Sequence, residues 1–65
     1  MFRERLRQLR DERGWTQEEA ATACDISTKV FQFLETGHQD NPTLETIEKI
    51  CRGFGLSIYE FFAPQ

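Results

Sequence analysis

Four hydroxyl residues, Thr16, Ser27, Thr43 and Ser57, constrain this chain more than any other feature, because each stands at the mouth of a segment with helical apolar spacing. Such side chains cap the free N–H groups of a helix's first turn. Thr16-x-x-Glu19 and Ser57-x-x-Glu60 are full capping boxes, in which the glutamate reaches back to the cap. Stops answer the starts: Gly14, Gly37 and Gly55 fall where the apolar pattern lapses, and Pro64 follows the last segment. No stretch shows the clean two-residue alternation of a half-buried strand. The chain can therefore fold only as several short helices.

The first segment, about residues 2–13, places Phe2, Leu6 and Leu9 on one face. The second, about 17–24, carries a narrow stripe of Ala20, Ala21 and Cys24, small enough for a neighbouring helix to come close. Asp25-Ile26-Ser27 forms a three-residue turn, and aspartate is one of the few residues that tolerates a positive φ. The third helix, about 28–36, ends at Gly37, and His38-Gln39-Asp40-Asn41-Pro42 is a polar loop. Thr43 opens a fourth helix with Leu44, Ile47, Ile50, Cys51 and Phe54 inward; Gly53 should weaken its last turn by about 1 kcal/mol against alanine. A short fifth helix bears Ile58, Phe61 and Phe62. The expected fold is all-α, a compact bundle of five short helices forming one domain over residues 1–65, with a helix-turn-helix at about 16–37.

Composition removes several classes of function. Apolar residues make up 38% of the chain, too many for a disordered tail, and no apolar run approaches the length of a membrane span. The charged N-terminal segment has no apolar stretch behind it, so it does not read as a secretory signal. Cys24 and Cys51 both fall on apolar helical positions; free buried thiols in a reducing cytoplasm are the simpler reading, although a disulfide stays open because spacing alone does not fix their approach. With His38 the only histidine and no CxxC, neither a metal site nor a cofactor is expected. Catalysis is not expected either. No nucleophile–base arrangement or glycine-rich phosphate loop is present, and the adjacent Glu18 and Glu19 point apart on a helix.

Charge is unevenly spread. Residues 1–13 carry five arginines against three acids, a net of +2, whereas residues 14–65 carry three basic and eight acidic residues, a net of −5. A basic edge on an acidic body suits a phosphate backbone, and it also suits a plain solvated helix face. On a helical wheel, Val30, Phe31 and Leu34 of the third helix point to the core, while Lys29, Gln32 and Phe33 cluster opposite with Thr28 at the border. Lys29 would donate to guanine O6 and N7, Gln32 would bond a base edge or a phosphate, and Thr28 would donate, accept or offer its methyl. Phe33 has three readings: contact with thymine methyls, an anchor for a protein partner, or packing back on the core. Glu35 opposes the macrodipole of its own helix, so a compensating cation is expected.

Thr16-Gln17-Glu18-Glu19-Ala20-Ala21, Ile26-Ser27, Leu34-Glu35-x-Gly37, Asn41-Pro42-Thr43-Leu44-Glu45-Thr46-Ile47 and Phe54-Gly55-Leu56-Ser57 occur in an order that resembles the Cro/XRE-type helix-turn-helix family of phage repressors and bacterial regulators. The resemblance covers nearly the whole chain and implies a five-helix bundle whose third helix enters the major groove. It implies that Ser27, Thr28, Lys29 and Phe33 meet bases and that Gln17 binds a phosphate. It also implies that Arg10 pairs with Glu35. Arg10, Thr16, His38 and Asn41 complete the expected phosphate contacts. The sequence departs from the family at Asp25, usually glycine, and in the loop, where Asp40 replaces the cations that several members carry. Weak, salt-sensitive association follows.

The expected partner is double-stranded DNA, with a palindromic operator bound by a homodimer. Leu56, Tyr59, Phe61 and Phe62 are the expected dimer surface, although one of the two phenylalanines would instead complete the core. A helix-turn-helix scaffold whose main partner is a protein, such as an antitoxin or accessory regulator, is the alternative. Neither reading involves a membrane or a small-molecule substrate.

Overall fold

The computed structural model describes residues 2–37 and 42–63. These form five helices: α1 (Phe2–Arg13), α2 (Gln17–Ala23), α3 (Thr28–Thr36), α4 (Leu44–Phe54) and α5 (Ile58–Phe62). No strand occurs among the described residues. All four hydroxyl caps accept a first-turn backbone N–H, and both capping boxes close. Each such cap contributes about 1 kcal/mol, a large share of what a helix of this length holds on its own.

Three helices end alike. After α1, Gly14 (φ 66°) donates to Asp11 O and Trp15 to Arg10 O; after α4, Gly55 (φ 71°) donates to Arg52 O and Leu56 to Cys51 O. After α2 the left-handed position is taken by Asp25 (φ 58°), with Asp25 N donating to Thr22 O and Ile26 N to Ala21 O. These are Schellman closures, in which the residue after the left-handed one turns an apolar side chain inward. Trp15, Ile26 and Leu56 hold those places, and all three pack against the core. The turn between α2 and α3 is therefore built by the same device as the glycine turns, with aspartate in the strained seat.

Leu6, Leu9, Ala20, Ala21, Cys24, Phe31, Leu34, Ile50, Cys51, Phe54 and Phe61 make one core. α2 packs on α3 and α4, α1 on α3 and α5, and α4 on α5. Both cysteines are free and buried. Two expectations need correction. Leu44 is 63% exposed rather than inward, because it stands at the margin of the α4 stripe in the first turn. Gly53 is more than a weak point in α4. A Cβ there would lie 2.7 Å from both Ala23 O and Cys24 Sγ, so glycine is what lets α4 close on the carboxyl end of α2.

Candidate nucleic-acid interface

α3 begins at Ser27, whose hydroxyl accepts from Val30 N at 3.1 Å and keeps its own proton free to donate. Its first turn carries no acid, unlike that of α2, which has Glu18 and Glu19. Phe31 and Leu34 are buried and Val30 is half-buried, which fixes the rotation of the helix. The opposite side then presents Lys29 and Gln32, both exposed, with Thr28 half-buried beside them. Phe33 is 39% exposed, and the Lys29 ammonium lies 5.7 Å from its ring centroid. Thr36 completes this side. Its hydroxyl bonds back to Gln32 O at 2.8 Å. The sequence reading omitted Thr36, although it stands one turn beyond Gln32 on the same wheel position.

Behind that face runs a line of polar contacts. Gln32 Nε2 donates to Gln17 Oε1 at 3.1 Å, and Gln17 Nε2 donates to Glu35 Oε1 at 3.2 Å. Arg10 grips the same carboxylate with both arms, Nε to Oε2 at 2.8 Å and Nη2 to Oε1 at 2.9 Å, and its Nη1 donates to Trp15 O at 2.9 Å. The Arg10 and Glu35 side chains are only 17% and 7% exposed. The Glu35 hydrogen bond raises the Arg10 pKa above its ordinary value, against the opposing effect of burial. A paired carboxylate with a planar fork is what α3 needs where Glu35 opposes its dipole. The line joins α1, the start of α2 and the outward side of α3 through one continuous set of contacts.

The proposed phosphate ligands are placed unevenly. Thr16 donates its backbone N–H to Glu19 Oε1 at 2.8 Å and accepts from Glu19 N, leaving its hydroxyl proton to give. Gln17 keeps one amide hydrogen beyond its bond to Glu35. Arg10 is bound up with Glu35 and Trp15. His38 and Asn41 lie outside the described residues.

Within the basic edge expected on α1, several arginines are engaged inside the fold, while Arg7 is exposed. Arg5 donates to Phe61 O at 2.6 Å and Glu60 O at 3.1 Å, at the end of α5. Arg13 donates to Phe54 O at 2.6 Å, at the end of α4, and lies over the Trp15 and Phe54 rings at 5.3 and 5.5 Å. Arg3 packs at Gly37, where a Cβ would meet its Nη1 at 2.6 Å. Helix carboxyl ends carry partial negative charge, and these cations answer it. Sequence alone shows that the cations are there, and the packing of α1 decides where they reach.

On the other side, Tyr59 is 81% exposed, Phe62 44% and Ile58 43%. Leu56 is half-buried. Phe61 is fully buried, 5.5 Å from the Phe2 ring and edge-on to Phe62 at 4.9 Å. Phe61 is therefore the phenylalanine that completes the core, and it offers no surface to a second chain. Ile58 is the exposed apolar residue that the expected dimer surface left out. No described helix is long and apolar enough to cross a membrane.

Comparison with known proteins gives a consistent set. A helix-turn-helix family model matches residues 6–61. The HTH-type transcriptional regulator DdrOP3 of Deinococcus deserti is 39% identical over 57 residues, 88% of this chain and 43% of that protein. The cryptic phage CTXphi transcriptional repressor RstR of Vibrio cholerae is 38% identical over 60 residues, 92% of this chain and 53% of its own length. An uncharacterized HTH-type transcriptional regulator of Archaeoglobus fulgidus is 38% identical over 61 residues, 94% of this chain and 86% of that protein. The chain thus spans about half the length of the first two relatives.

Proposed function

The chain belongs to the Cro/XRE-type helix-turn-helix family of transcriptional regulators, and from that premise we propose that it is a sequence-specific DNA-binding repressor that occupies a palindromic operator as a homodimer. One observation carries the reading: α3 offers an exposed polar side, free of acids in its first turn, on a helix tied to α1 and α2 by the Arg10–Glu35–Gln17 line. Ser27, Thr28, Lys29, Gln32 and Phe33 read bases, with Lys29 donating to guanine. Thr16, Gln17, His38 and Asn41 hold phosphates, and Arg10 serves by fixing Gln17 through Glu35. Leu56, Ile58, Tyr59 and Phe62 form the dimer surface, which would place two copies of α3 in successive major grooves about 34 Å apart. The protein works in the cytoplasm without cofactor or catalysis. Repression draws support from the named role of the Vibrio cholerae relative.

Selection from a random duplex library at low salt tests this, with wild type beside Lys29→Ala. A symmetric enriched motif that relaxes with Lys29→Ala is the expected result; a folded protein that enriches nothing overturns the proposal. A second reading, a protein-binding module such as an antitoxin, draws on Arg5, Arg10 and Arg13, whose guanidinium groups bond within the fold rather than facing outward. Saturable binding to a protein, with no sequence preference on DNA, would favour it.

A further inference from the structure

Thr28, Lys29, Gln32, Phe33 and Thr36 share the outward side of α3, and Phe33 alone among them has no hydrogen-bonding group in its side chain. It is nevertheless 39% exposed there, with the Lys29 ammonium 5.7 Å from its ring centroid. An exposed phenyl on a polar reading surface has a narrow choice of partners. Every base pair shows donors and acceptors in the major groove, and a phenyl laid against those strips water and returns no bond. The C5-methyl of thymine is the one apolar feature on offer. A protein hot spot fits this place less well, because the other side chains that share the outward side of α3 carry hydroxyl, amide and ammonium groups.

We propose that Phe33 makes this surface selective for a pyrimidine carrying a C5-methyl group, next to or one step removed from a guanine met by Lys29. The spacing follows from the helix. Residues four apart rise about 6 Å along its axis, and successive bases rise about 3.4 Å. The contact distinguishes thymine from uracil, and 5-methylcytosine from cytosine. This rests on the operator-binding reading and gives it a chemical specificity.

The test takes the duplex motif selected from the random library and replaces thymine by uracil one position at a time, reading affinity by fluorescence anisotropy. One position in each half-site should lose about fourfold, the worth of burying a single methyl-sized group. Cytosine at that position should bind more tightly once 5-methylated. Phe33→Ala should bind uracil and thymine duplexes alike, and Phe33→Leu should keep part of the preference. The scan on wild type decides the contact whether or not a variant folds. Indifference to uracil at every position, or an equal loss in Phe33→Ala, overturns this inference and leaves operator binding standing; absence of any enriched motif overturns both.

Discussion

Glu35 sits at the carboxyl end of α3, where the helix dipole disfavours it, and is held there by the two-armed grip of Arg10. Removing one partner strands the other in a site less than a fifth exposed. Glu35→Ala or Arg10→Met should therefore cost about 3–5 kcal/mol in urea unfolding, because an unpaired buried charge costs more than the pair contributes. A loss below about 1 kcal/mol would mean the pair behaves as a surface ion pair. Cys24 makes a different residue-scale prediction. Burial, helped by Cys51, pushes its thiol from 9.0 up to about 11. Below pH 9 the folded and unfolded chains both keep the proton. Between pH 9 and 11 the unfolded chain releases it first, so stability falls as pH rises through that window, by about 2–3 kcal/mol. Urea midpoints at pH 8 and pH 10.5 should show a shallower decline in Cys24→Ala, with a remainder from Cys51, whose thiol burial also raises. Identical declines in the two proteins would sink the assignment.

α2 and α4 meet where Gly53 faces Ala23 O, Cys24 Sγ and Cys24 Cα at 2.7–2.8 Å from an added Cβ. Helix propensity favours alanine over glycine by about 1 kcal/mol. The close backbone works the other way, since Ala23 O and Cys24 Cα cannot swing aside. Gly53→Ala should therefore destabilise by about 1–3 kcal/mol net, as overpacked sites do; a more stable variant would show that α4 slides freely on α2. This is also where reading from sequence stops. Caps and stops are local, so Thr16, Ser27, Thr43 and Ser57 disclosed the starts of α2, α3, α4 and α5 without knowledge of the rest of the chain. The roles of Gly53, Leu44 and Phe61 depend on which helix lies opposite, and periodicity does not contain that information. The candidate site divides the same way. The outward side of α3 follows from its own spacing, whereas the bond from Gln32 to Gln17 spans two helices and needs their crossing.

At the scale of the whole molecule, the arginine-rich α1 works as an internal clasp. Arg5 and Arg13 bond the carboxyl ends of α5 and α4, Arg10 bonds Glu35 and the carbonyl of Trp15, and Arg3 packs at the end of α3. The chain carries a net charge of −3, and three of its eight cations, Arg5, Arg10 and Arg13, bond its own carbonyls. Lys49 and Arg52 lie with Ala23, Cys24 and Asp25 at the carboxyl end of α2, away from the Thr16–Gln17 start of that helix. Within α3 the one cation is Lys29, and Arg7 is exposed on α1. Counterion release scales with the phosphates neutralised by cations, at about 0.9 each, and neutral donors such as Gln17 and Thr16 add little. A homodimer of this chain should thus show a shallow dependence of log affinity on log salt, with a slope of about −2 to −4, rather than the salt-sensitive association expected from the sequence. Lys29→Gln should relax the base preference and flatten the slope by less than about 2, because its ammonium meets guanine rather than phosphate. A wild-type slope near −8 would mean that the α1 arginines leave their carbonyls for phosphate. The clasp would then open on binding, and Arg5→Gln and Arg13→Gln would flatten the slope more than Lys29→Gln does.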